Sequence, residues 1–230
     1  NLTWSVVIFG WLPIALGLDF WGAVTSTFTG LVLGCVVMAP IAGIGTRTGT
    51  NTAVSSGAFF GIRGRLIGSA LALVLAIAGG GGRVWGRGVA LVAAAARLLG
   101  APGGNWPRAI SYAVLSVGVV VIALYGHATI VALQRVLVPV VGVLLLAGVF
   151  VFAPGFDPGA STAEYALGGY WQTWALSAVL GFAAGPSYVT QVGDYTRRIS
   201  QFRYSDQRVA AALVVGLLLG SLLPMSFGIF

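Results

Sequence analysis

Apolar runs long enough to cross a lipid bilayer follow one another along this sequence, and the short turns between them carry arginine and no lysine. Hydrophobic residues make up 58% of the 230 and charged ones 7%, against roughly a quarter charged in a soluble domain. Mean hydropathy is +0.97. Runs of this length satisfy their backbone groups in lipid by coiling into helices, so an all-α integral membrane protein is expected. Spans are expected at 2–17, 20–45, 66–96, 109–126, 128–153, 171–198 and from 208 onward, about seven in all. The first is short of a full crossing, the chain begins at Asn1 without methionine, and it stops at Phe230 inside an apolar run. It therefore reads as a fragment of a longer protein, with its first and last helices incomplete. The sequon Asn1-Leu2-Thr3 opens directly into an apolar helix and is discounted as a glycosylation site.

The arginines test this topology independently of hydropathy. If the polar connection 46–65 faces the cytoplasm, strict alternation also places the turn before Arg135 and the loop 197–208 inside. Those connections hold Arg47, Arg63, Arg65, Arg135, Arg197, Arg198, Arg203 and Arg208. The opposite side holds Arg97 and Arg108 with Asp19, Asp157 and Glu164, which is the positive-inside pattern. The net charge of +7 thus belongs to membrane-flanking turns, and no interleaving of basic and aromatic residues suggests nucleic acid.

One span is interrupted. From Trp171 the chain runs as an apolar helix through Trp174, Leu176, Val179, Leu180 and Phe182, meets Gly185-Pro186-Ser187, and resumes to Asp194-Tyr195-Thr196-Arg197-Arg198. The eleven residues from Trp174 to Gly185 rise roughly 16 Å at helical pitch, which puts the break near the bilayer midplane. Pro186 lacks an N–H, so carbonyls freed at the break must face protein, water or a solute. A solute site at a broken helix and a proline kink in a packed helix both fit these residues.

Elsewhere the polar residues are few. Gly30-Leu31-Val32-Leu33-Gly34 has the spacing of a close helix contact. Residues 78–87 place Gly79 to Gly82 beside Arg83 and Arg87, which share a helix face, with Trp85 between them; no GK[ST] follows, so a nucleotide loop is not indicated. Arg83 fits either a cavity cation or a residue snorkelling to the interface. Asp194 and Arg198, four apart, are expected to pair at the inner mouth of the broken helix, as a structural contact or a gate. The single histidine, His127, sits in the turn before Arg135, and the single cysteine, Cys35, lies inside an apolar run. No paired carboxylates, serine–histidine pair, HExxH or CxxC occurs, so neither an enzyme nor a metal site is expected.

Three passages together resemble the cytosine/purine permeases of the nucleobase:cation symporter family. They are Gly45-Thr46-Arg47-Thr48-Gly49-Thr50-Asn51 with Phe59-Phe60-Gly61-Ile62-Arg63-Gly64, then Leu124-Tyr125-Gly126 through Leu133-Gln134-Arg135, and Asp194-Tyr195-Thr196-Arg197, similar to the family's "DYSRY" signature. The resemblance implies a leucine-transporter-type fold of two inverted five-helix repeats. Residues 1–153 would then be the first repeat, and 154–230 the broken helix six with part of helix seven. It implies a multi-pass transporter of the plasma membrane that imports a nucleobase by symport. The coupling sodium ion or proton would be held by helices one and eight, the second of which lies beyond this sequence, and no other cofactor is expected. Gly185, Pro186, Ser187 and Tyr188 would meet the solute, and Gly79 and Gly80 would shape its wall. By register from Gly64, the family's polar and stacking positions on helix three fall on Ala76 and Gly79, so the usual aromatic stack is missing unless Trp85 or another ring substitutes. A hydantoin, allantoin, thiamine or another small polar solute is the alternative within transport. A membrane enzyme or a structural subunit is the alternative outside it.

Overall fold

The computed structural model describes residues 4–158 and 164–230, and every regular element among them is helical. The Asn1 sequon lies outside these residues. Helix α1 (Trp4–Ala15) is followed by α2 (Phe20–Met38), whose start is fixed by Asp19: its carboxylate accepts the Gly22 N–H at 3.0 Å. A short 3₁₀ turn at Ala39–Ile41, opened by Pro40, leads into α3 (Ala42–Thr48). Gly49 ends α3 at φ 62°, a left-handed cap that glycine adopts without a side-chain clash. The Asn51 carboxamide then accepts the Val54 N–H at 2.8 Å and starts α4 (Thr52–Leu99). The remaining helices are α5 (Asn105–Tyr125), α6 (His127–Phe152), α7 (Tyr170–Ala183), α8 (Val189–Thr196) and α9 (Asp206–Ile229).

Among the described residues, five stretches are long and apolar enough to cross a bilayer: Phe20–Thr48, Thr52–Leu99, Asn105–Tyr125, His127–Gly155 and Asp206–Ile229. With α1 and the interrupted pair α7 and α8, they match the seven expected spans. One expectation needs correction. The connection 46–65 is largely helical, because α3 continues to Thr48 and α4 already begins at Thr52. The polar residues there cap and pack helix ends, and only Gly49 to Asn51 turn the chain. A break does occur within this stretch, at Gly61, where φ 68° and ψ 179° interrupt the helical path and no side chain has to be accommodated.

The described residues form two compact units, one from 1–69 and 142–230 and the other from 70–141. In the first, α2 and α7 meet backbone to backbone. A Cβ on Gly30 would overlap the Ala178 carbonyl, one on Gly34 the Phe182 carbonyl, one on Gly181 would crowd the Thr27 backbone, and one on Gly185 would overlap the Gly34 backbone. Two glycine pairs of i, i+4 spacing therefore face each other. Within this contact the buried hydroxyls of Ser26 and Ser177 share a hydrogen bond of 2.7 Å, and at its outer end the Trp174 indole donates to Thr25 Oγ1 at 3.0 Å. Helices α1 and α9 repeat the device, with Gly10 against the Met225 backbone and Gly228 against that of Val7. Small apolar clusters fill what the glycines leave, among them Leu31, Cys35 and Met225, and Met38, Ala42, Val192 and Val209.

The end of α3 and the start of α9 are joined by charge. Arg47 pairs with Asp206, with Nη2 2.5 Å and Nε 2.6 Å from Oδ2, while Thr46 Oγ1 donates to Oδ1 at 3.1 Å. Arg47 and Asp206 come from two connections that strict alternation of the spans puts on one side, and they meet at one end of the unit. In the second unit the close approach is between α4 and α5. The Tyr112 ring lies over Gly88, and Ser111 donates to the Gly88 carbonyl at 3.2 Å.

Gly30→Leu is expected to destabilise the protein in detergent by about 2 to 3 kcal/mol, because the α2–α7 backbones must separate. Gly81→Leu, where an added Cβ meets nothing within 4 Å, is expected to cost nothing comparable. Ser26→Ala, which leaves the Ser177 hydroxyl without its partner, is expected to cost only about 0.6 kcal/mol. Thermal unfolding of the three variants side by side checks this order.

Candidate functional site

The interruption between α7 and α8 is a tight turn. Gly185 N–H bonds back to the Phe182 carbonyl at 3.1 Å, three residues away instead of four, and the 3₁₀ turn Pro186–Tyr188 follows, closed by Tyr188 N–H to the Gly185 carbonyl at 3.0 Å. Pro186 has no N–H to continue the α-helical ladder, which is why the shorter bonds take over here. Gly185 is buried against Gly34 and Cys35 of α2, so the break is held at one level of that helix.

The four residues expected at the break differ in their surroundings. Gly185 serves backbone packing. Tyr188 packs its ring on the cluster of Met38, Ala42, Val192 and Val209. Pro186 is half-buried and Ser187 is exposed. The Ser187 hydroxyl donates to the Ala184 carbonyl at 2.7 Å, which leaves its oxygen lone pairs for another donor. Gly79 and Gly80 belong to the second unit, in the middle of α4; a Cβ on either, or on Gly81 or Gly82, would meet nothing within 4 Å. Arg83, Trp85 and Arg87 on the same helix are exposed.

At the end of α8, the ion pair of Asp194 differs from expectation. Its carboxylate is 3.5 Å from Arg197 Nη2, three residues on, instead of meeting Arg198. Helix α8 ends at Thr196, so Arg198 no longer follows the helical repeat that would set it above Asp194, and its side chain is exposed. His127 is the first residue of α6 instead of a turn residue.

The structure also joins passages that the sequence separates by more than 140 residues. Gly193 N–H donates to Thr52 Oγ1 at 2.9 Å. Gly45 lies so close to Thr196 and Gly193 that a Cβ there would overlap the Thr196 hydroxyl, which itself donates to the Val192 carbonyl at 3.0 Å. The threonine-rich turn after α3 and the Asp194-Tyr195-Thr196-Arg197 segment therefore form one contact at the inner end of the broken helix. Sequence reasoning missed this contact and the Arg47–Asp206 pair. It also missed the second glycine pair, Gly181 and Gly185, although that spacing could be read directly.

The arrangement offers a break pinned at one depth, with an exposed hydroxyl and a proline-interrupted backbone, in a helix whose inner end is clamped by an unrelated turn. It presents hydrogen-bonding groups but no nucleophile set up beside a base. No curated protein and no solved structure matches the chain. The family model described as "Permease for cytosine/purines, uracil, thiamine, allantoin" matches residues 1–230, its whole length. The chain therefore belongs to this family of membrane permeases.

Proposed function

We propose that the protein is a secondary active transporter of the cell membrane that imports a nucleobase, cytosine or a purine, or a related nitrogen heterocycle by cation symport. Membership of a permease family and the long apolar helices make it a multi-pass membrane protein of transport. The observation that supports a solute site at the break is Ser187: among Gly185, Pro186, Ser187 and Tyr188 it alone is an exposed polar side chain. Its oxygen can accept from a ring N–H, and neighbouring backbone groups at the proline can complete the recognition. The coupling ion, sodium or a proton, would be held by helix one and a later helix of a leucine-transporter-type fold, and alternating access would carry the solute across.

A second reading, import of allantoin, thiamine or a hydantoin, is favoured by one observation. The α4 positions in register with the family's polar and stacking residues are Ala76 and Gly79, which carry neither a polar group nor a ring. A solute that does not need a stacked ring suits these residues.

Equilibrium binding of labelled nucleobases, allantoin, thiamine and hydantoins, with and without sodium, separates the readings. Saturable, sodium-enhanced binding of one base is expected; binding of allantoin or thiamine alone would select the second reading, and binding that follows pH instead of sodium would make the proton the coupling ion. Ser187→Ala is expected to weaken binding about five- to tenfold, the worth of one hydrogen bond, with thermal unfolding unchanged. Unchanged affinity in that variant would remove the break from the site.

A further inference from the structure

A groove of about 450 Å³ opens where the 3₁₀ turn and α3 pass the start of α9, at the arginine-rich end of the first unit. Val36, Ala39, Pro40 and Ala210 give it an apolar wall, and Arg47, Asp206 and Gln207 a polar rim. Its charged group is held in place but not used up. Arg47 engages Asp206 through Nε and Nη2, which leaves Nη1 outside the pair, and its side chain is still 70% exposed. Asp206 is fixed in turn by Thr46 and sits in the first turn of α9. The guanidinium is thereby oriented at the mouth of the groove without being buried. Below the rim, Val36 and, one turn back along α2, Leu33 present apolar side chains that are 57% and 53% exposed. The loop 197–208 adds Arg197, Arg198, Arg203 and Arg208 on the same side of the membrane, against Asp194 and Asp206.

We propose that this groove binds an anionic phospholipid of the inner leaflet, its phosphate on the Arg47 guanidinium and its acyl chain along Val36 and Leu33. Three features favour a lipid over other occupants. The guanidinium is a planar fork matched to phosphate oxygens; the groove wall beside it is apolar and leads to the exposed Leu33 of α2; and the excess of arginine on this side complements the negative inner leaflet. A zwitterionic lipid would match the wall but gain nothing from the charge.

The test is native mass spectrometry of the full-length protein purified in a neutral detergent, with phosphatidylglycerol or phosphatidylcholine added. Wild-type protein is expected to retain phosphatidylglycerol at least about fivefold better, the worth of one charge-assisted hydrogen bond. Arg47→Lys keeps a cation for Asp206 but removes the fork, and is expected to lose that preference. Val36→Trp, at an exposed position on the wall, is expected to reduce retention with the Arg47–Asp206 pair intact. Unchanged thermal unfolding in detergent without lipid shows that both variants fold. Equal retention of the two lipids, or wild-type retention of phosphatidylglycerol in both variants, overturns the proposal. Displacement by an equal concentration of glycerol 3-phosphate also overturns it, because the groove would then read a free phosphate.

Discussion

The contact on which the first unit depends is the backbone approach of α2 to α7. Inside a bilayer the lipid tails are as apolar as leucine, so burying leucine against leucine does not by itself choose a helix's neighbour. What chooses it is the number of atoms that can come within van der Waals range, and glycine allows the most. Gly30 and Gly34 on one side, with Gly181 and Gly185 on the other, let the carbonyls of each helix lie against the Cα atoms of its partner. The Ser26–Ser177 bond then sets the register along the axis, because two buried hydroxyls must meet.

The same rule explains why the unit is not contiguous in sequence. Each strong pairing joins an early helix to a late one: α1 to α9, α2 to α7, α3 to α8. In every pair the close approach is made at a glycine of at least one partner, whether Gly10 and Gly228, Gly34 and Gly185, or Gly45 and Gly193. The intervening stretch 70–141 has its own close contact, at Gly88 beneath Ser111 and Tyr112, and so forms a unit of its own. The compact units therefore cut across the two sequence repeats that the family resemblance implies.

Much of this was legible in the sequence, because a bilayer imposes a length and a polarity on each span that hydropathy reads directly. The spans, the Asp19 turn, the small-residue contact at Gly30 and Gly34, and the break at Gly185-Pro186 all follow from residue type and local spacing. What could not be read depends on where a helix stops or on a partner far away in the chain. Residues 52–60 look like a polar loop, yet they coil because Asn51 caps them and Thr52 is taken up by Gly193. Asp194 looks paired with Arg198 only if the helix continues, and it ends two residues earlier. Arg47 and Asp206 are ordinary loop charges until the glycine contacts bring α3 beside α9.

The candidate site shares this division. A glycine–proline break reads as a solute site or as packing, and at Gly185 the structure shows packing, since its Cα is enclosed by Gly34 and Cys35. Enclosure and the proposed recognition are compatible because they would use different faces of one turn. The face toward α2 fixes the depth at which the ladder is interrupted, whereas Ser187 lies on a face left exposed. On the proposed function, holding one side of the break rigidly would lower the entropy that a solute must take away on binding to the other, so that the interruption would serve as a preorganised site instead of a flexible joint. The clamp of Thr52 on Gly193, eight residues after Gly185, extends the same constraint to the inner end of the helix. The broken helix is thereby tied to α2 at its break and to the start of α4 near its other end.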